Sequence, residues 1–202
     1  MAGINENADK LNFSLMKISK ILNNNKFDNW FIGYGTLLGI VRNNSCIDGD
    51  DDVDIICNMN DYQKLREILL KEKYELDFGH GINQSKRIIK TKASSESASL
   101  DFYMTEVDHN GNFNDIWEGI FWSNCYEEKT KEFIKLTWNN TTLNLPADFH
   151  RKLRKIYGIF WRIPQKNKGI RDDAKKNLRK IYYLVLPESL RNNLKKIIKK
   201  YN

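Results

Sequence analysis

Four of the five residues from 50 to 54 are aspartate, and they open the apolar run Val53-Asp54-Ile55-Ile56. Like charges this close repel one another, and strands disfavour aspartate, so packing gives no reason for the cluster. A hard divalent cation makes it tolerable, and carboxylate oxygens suit Mg²⁺ or Mn²⁺. On a strand, side chains two apart share a face. Asp52 and Asp54 would then stand side by side while Val53 and Ile55 turn to the core. Asp101, between Leu100 and Phe102 on a later apolar segment, offers a third carboxylate. Pairing of the two strands would put all three around one point. Mg²⁺ held by carboxylates is a common device for phosphoryl transfer, and two such ions can clamp the attacking and the leaving oxygen. A solvated acidic loop is the plainer alternative. A Ca²⁺ loop is discounted, because the EF-hand spacing is not met.

Glycines precede this cluster at positions 33, 35 and 39. Gly35 and Gly39 would let backbone approach a ligand, and Thr36 would open a short helix whose N–H groups suit phosphate. Arg42, at the end of that helix, could meet a phosphate bidentately or pair with the acidic cluster.

The elements that must carry these residues follow from hydrophobic spacing. Apolar residues predict a helix over 7–24, a buried strand over 30–32, a brief helix over 36–42 and a strand over 53–57. An amphipathic helix spans 60–73, with Asp61 as its N-cap and Leu65, Ile68 and Leu69 inward. Further strands are expected around 74–78, 87–92 and 99–104. Asn-Gly within 108–112 predicts a hairpin turn, and segments 133–138 and 141–145 a second hairpin across Asn139-Asn140. From Pro146 the pattern turns helical. Strands and helices mixed in this order predict an α+β domain with a helical, basic C-terminal part.

Composition sets outer bounds. A chain of 202 residues, 41% hydrophobic and 29% charged, suits one globular domain. No apolar run approaches the roughly 18 to 20 residues of a membrane span, and residues 1–13 hold no apolar secretory core. An intracellular, cytoplasmic protein is expected. Cys46, Cys57 and Cys125 form no metal-ligand spacing with one another or with His80 or His109, and read as reduced thiols. The net charge of +7 gathers beyond residue 151 and points to phosphate-rich partners without choosing among them. The basic faces of the C-terminal helices read either as solvated surface or as peripheral contact with anionic lipid at the inner membrane face, with nucleic acid a weaker third. Trp117, Trp122, Tyr126 and Trp138 read as core or acceptor-site aromatics.

The stretches Gly35-Thr36-Leu37-Leu38-Gly39-Ile40-Val41-Arg42 and Asp50-Asp51-Asp52-Val53-Asp54-Ile55 resemble the LicD and fukutin-related family of the DNA polymerase β-like nucleotidyltransferase superfamily. Leu145-Pro146-Ala147-Asp148, Leu153, Tyr157-Gly158 and Trp161 resemble a later segment of the same family. The resemblance implies a nucleotidyltransferase-type mixed sheet flanked by helices, with a catalytic domain over 1–164 and a basic helical extension over 165–202. It implies transfer of a phospho-alcohol, such as phosphocholine or a polyol phosphate, from a CDP-linked donor to a sugar hydroxyl of a surface glycan or lipid-linked sugar. In that reading Asp52, Asp54 and Asp101 hold the metal, Asp101 takes the acceptor's proton, and Gly35, Thr36, Gly39 and Arg42 serve the donor phosphates. The alternative keeps the core but transfers a nucleotide from NTP to a small molecule or protein.

Overall fold

Leucine and isoleucine at 11, 15, 18 and 22 close an apolar stripe along α1 (Ala8–Asn24), and all four side chains are buried. The Asn7 side chain caps this helix, accepting from Lys10 N at 2.8 Å. The structure, a computed structural model, describes residues 6–77 and 86–164. The expected 165–202 extension, with its helices, lies outside the described residues.

Along the chain follow β1 (Trp30–Ile32), α2 (Tyr34–Asn43), β2 (Asp52–Asn58), a 3₁₀ turn (Met59–Asp61) and α3 (Tyr62–Lys71). Then come β3 (Ile88–Lys90), β4 (Ser99–Val107), β5 (Phe113–Asp115), β6 (Ile120–Trp122), β7 (Ile134–Trp138), β8 (Thr141–Leu145) and α4 (Phe149–Tyr157). Six strands form one mixed sheet. β2 lies antiparallel to β1 and parallel to β4, while β3 and β5 each pair antiparallel with β4, and β6 extends β5. A parallel pair needs a crossover, and α3 supplies it between β2 and β4. Val53, Ile55, Leu100, Phe102 and Met104 are fully buried, and Leu65 and Leu69 of α3 join the same core. The α+β class expected from the sequence is the class observed.

Local differences have local causes. α2 starts two residues before the expected position, with Gly33 as its N-cap. Asp61 makes no capping hydrogen bond to α3. The Asn58 side chain instead caps the 3₁₀ turn, accepting from Asn60 N at 3.0 Å. The strand expected at 74–78 is a single bridge, Leu76 to Thr91, with Phe78 outside the described residues. The hairpin turn expected within 108–112 joins β4 to β5, while β6, three residues long, was not expected.

β7 and β8 form the hairpin expected from Asn139-Asn140, both at positive φ (44° and 58°), as a tight two-residue turn demands. This hairpin is tied to the main sheet by Asn144, which is 1% exposed and donates from Nδ2 to Trp30 O at 2.8 Å. Ser19 Oγ and Thr141 Oγ1, 3.0 Å apart, tie it to α1. Truncating Asn144 leaves the Trp30 carbonyl buried without its partner. Asn144→Ala should lower stability by about 1 to 3 kcal/mol. Urea unfolding checks this, the midpoint falling at unchanged m-value.

Candidate active site

Asp54 is where the glycine-rich turn and the sheet meet. Gly33 N donates to Asp54 O at 3.1 Å, and Asp54 N donates to Thr36 Oγ1 at 2.8 Å. Its carboxylate, on a residue only 6% exposed, accepts from Gly35 N on Oδ2 at 2.9 Å and from the Tyr103 hydroxyl on Oδ1 at 3.1 Å. A carboxylate beside the first amides of α2 also gains from the helix dipole. A Cβ at Gly35 would lie 2.3 Å from Asp50 Oδ2 and 3.3 Å from Asp54 Oδ2, so a side chain there would push the Asp50 carboxylate aside. Gly35 thus seats two carboxylates on one backbone position, and its amide serves Asp54. Thr36 is buried and spends its hydroxyl on the same residue. Gly39 has a packing reason, since a Cβ there would meet Ser45 O at 2.5 Å.

The parallel register sets Asp54 opposite Asp101 and Asp52 opposite Ser99, while β3 sets Lys90 opposite Asp101. Cross-strand partners share a face, so Asp52, Asp54, Asp101, Tyr103 and Lys90 look out on one side of the sheet. Lys90 Nζ donates to Asp101 Oδ1 at 2.7 Å and to Asp52 Oδ2 at 3.3 Å. Burial, then the charge of Asp52, pushes the Asp101 carboxyl up, against the pull of Lys90. Burial alone would lower Lys90, but Asp101 and Asp52 outweigh it and hold the ammonium charged well above its ordinary range.

The sequence expectation that three carboxylates share one point therefore needs correction in detail. β2 and β4 do pair and bring Asp52, Asp54 and Asp101 onto one face. As the side chains stand, however, Asp54 turns to Gly35 and Tyr103 while Asp52 and Asp101 clasp an ammonium. Among the described residues no three His, Cys, Asp or Glu side chains are grouped to hold a metal ion. The donor set still fits one: hard carboxylate oxygens suit Mg²⁺ or Mn²⁺, and Lys90 already stands as a cation between two of them.

Other residues border this face. Tyr157 of α4 is 36% exposed, yet burial of its phenol, then the charges of Asp54, Asp50 and Glu118, raises its pKa well above the usual value. Arg42 is half-buried, and its Nε has no hydrogen-bond partner among the described residues. Behind the turn, Tyr34 adopts a left-handed φ of 39° and turns its ring against Tyr103 and Trp122, with centroids 4.8 and 5.3 Å away. Its hydroxyl donates to Asp115, a carboxylate with no exposure that also accepts from Trp117 N and Glu118 N. Lys90 and Asp115 were not expected from the sequence. The one signal was charge out of place: Lys90 closes an apolar run, and Asp115 stands between Phe113 and Trp117. The three cysteines are buried free thiols, as expected, and His150 is exposed on α4. No helix among the described residues is long and apolar enough to cross a membrane.

The mixed sheet, the glycine-bearing turn and the paired carboxylate strands define a nucleotidyltransferase-type α+β domain. A family model described as LicD/FKTN/FKRP, nucleotidyltransferase domain, matches residues 28–164, and the chain belongs to that family of transferases. No curated protein matches it. Among solved structures it is similar to the lincosamide antibiotic adenylyltransferase LnuA with lincomycin bound, at 13% identity and a TM-score of 0.46, over 83% of this chain and 95% of that one. It is also similar to the antibiotic-resistance factor ANT(2'')-Ia, at 12% identity and a TM-score of 0.47, over 94% and 98%. An antigenic nucleotidyltransferase-like protein from Paracoccidioides brasiliensis gives 14% and 0.49, over 97% and 90%. Likenesses this distant carry no weight on substrate or activity.

Asp115 makes stability depend on pH. Burial, outweighing the Tyr34 hydroxyl and two amides, raises its carboxyl from 3.8 to about 7. A carboxyl raised on folding binds its proton more tightly folded than unfolded, so its contribution is full below the unfolded value and is lost as pH rises towards 7. The melting temperature should fall between about pH 4 and pH 7 more steeply in the wild type than in Asp115→Asn. Parallel profiles in a thermal-shift series would contradict this assignment.

Proposed function

We propose that the protein is a metal-dependent phosphotransferase that moves a phospho-alcohol from a CDP-linked donor to a sugar hydroxyl of a glycan. The observation that carries this reading is the joint one: membership of the LicD/FKTN/FKRP family, with its aspartates gathered on one face by the β2–β4 register. Asp52 and Asp54 would hold Mg²⁺ or Mn²⁺, which neutralises charge on the donor pyrophosphate. Arg42, with an unpartnered buried Nε at the edge of the face, suits the donor's phosphates. The acceptor oxygen attacks the phosphorus bearing the alcohol, the anhydride bond to the CMP phosphate breaks, and CMP leaves. Asp101 takes the acceptor's proton, a step for which a carboxyl raised towards neutral pH is suited.

Purified protein with Mg²⁺ or Mn²⁺ and CDP-choline, CDP-glycerol or CDP-ribitol, supplied with a glycan acceptor, should release CMP from one of the three. Asp52→Asn and Asp54→Asn should each lower that rate by about 10²-fold or more while leaving the fold intact by circular dichroism. The family model is named for a nucleotidyltransferase domain, which favours transfer of NMP from NTP as the second reading. Pyrophosphate release from NTP, with no CMP from any CDP donor, would select it.

A further inference from the structure

The three most exposed large apolar side chains among the described residues fall within five positions: Ile159 at 63%, Phe160 at 60% and Ile163 at 59%. Apolar side chains exposed singly are ordinary, whereas a group of them marks a contact surface. This group is held in place. Trp161, buried between them, is the anchor, with Trp161 N donating to Gly158 O at 3.3 Å and Ile163 N to Phe160 O at 2.9 Å. The Arg162 guanidinium lies 4.3 Å from the Trp161 ring, and its Nη2 stands 3.4 Å from His150 Nδ1, which folds the turn back along α4. Positive charge surrounds the apolar tip. Residues 149–164 hold five Lys or Arg and no Asp or Glu. Lys152 turns inward, to the carbonyls of Asn124 and Ala147. Arg151, Arg154 and Lys155 are exposed at a spacing that puts them on one face of α4, and exposed Arg162 joins them from the turn. Carboxylates stand nearby, Asp148 beside Lys152 and Asp50, Asp54 and Glu118 around the Tyr157 phenol. Even so, none of the four exposed cations forms an ion pair with another described residue.

We propose that this turn and the basic face of α4 dock on an anionic lipid surface. Ile159, Phe160 and Ile163 enter the boundary between headgroups and acyl chains, while Arg151, Arg154, Lys155 and Arg162 meet the headgroup charges. The partner must accept bare aliphatic side chains and supply negative charge at once, and an anionic bilayer does both. Nucleic acid offers the charge but no apolar seat for Ile159 and Ile163. The chain's own residues 165–202 carry twelve Lys or Arg against three Asp or Glu, and a second copy repeats the net charge of +7. Neither complements the patch. Tyr157, where α4 runs into the turn, also borders the carboxylate face, so docking sets that face beside the membrane.

Sedimentation of the full chain with phosphatidylcholine vesicles, with and without phosphatidylglycerol, tests this. The wild type should bind the phosphatidylglycerol vesicles far more tightly. Phe160→Ser/Ile163→Ser should lower that partition by about tenfold or more at unchanged melting temperature. A nitrobenzoxadiazole label on Phe160→Cys, selective because Cys46, Cys57 and Cys125 are buried, should shift to the blue on the same vesicles. No vesicle binding by the wild type overturns the proposal. Full binding by the double variant, or a label that keeps its aqueous emission, overturns it too, since other basic residues would then hold the lipid. A double variant that melts several degrees lower with its vesicle binding intact gives the patch to residues 165–202. Loss of a wild-type dimer gives it to a second copy, and loss of RNA binding in place of vesicle binding gives it to nucleic acid. Any of these three also overturns docking on lipid. Every readout is taken without donor or metal, so failure here leaves the phosphotransferase reading standing.

Discussion

Parallel pairing of β2 with β4 sets Asp54 opposite Asp101 and leaves Asp52 one step along the same face. Carboxylates crowded onto a nearly buried face are unstable unless something opposes their charge. Much of the surrounding structure answers that constraint. The glycine turn gives Asp54 an amide and helix-terminal dipole, Tyr103 gives it a hydroxyl, and β3 delivers Lys90 to Asp52 and Asp101. Even the absence of a side chain at Gly35 follows, because Asp50 and Asp54 occupy the space it would fill. The core beneath, from Val53 and Ile55 to Leu100 and Phe102, exists on the opposite face of the same strands.

Much of this was legible before any coordinates. Asp52 and Asp54, two apart in an apolar run, announced a strand with a charged face, and Asp101 between Leu100 and Phe102 announced another. The pairing between them followed from chemistry, since separate buried carboxylates make little sense. Leu65, Ile68 and Leu69 marked the inner face of α3, and Asn139-Asn140 marked a turn that the structure places at positive φ. What stayed hidden depends on contacts between distant segments. Nothing in the local pattern joins Lys90 to Asp101, because their pairing runs through β3, too short to announce its register. Tyr34 and Asp115 meet across 81 residues of sequence. Gly39 and Thr36, read from the sequence as phosphate-binding positions, also have structural partners that the sequence did not announce, in Ser45 O and Asp54 N.

The division of labour within the turn bears on function. A helix N-terminus is a ready anion site, and here the anion at Gly35 N is the protein's own Asp54 carboxylate. The turn therefore orients a carboxylate, and in the proposed reading Arg42, at the far end of α2, would serve the donor phosphate. Tyr157, brought up by α4, closes the same side near Asp50, Asp54 and Glu118.

The central claim is that Asp52 and Asp54 hold the divalent ion on which phosphoryl transfer depends. Anomalous diffraction from crystals soaked in Mn²⁺ tests it most directly. The account predicts a peak in contact with both Asp52 and Asp54, lost in Asp54→Asn crystals of the same form. A fully soaked crystal with no peak on that face, or with its only peaks elsewhere on the protein, would contradict it.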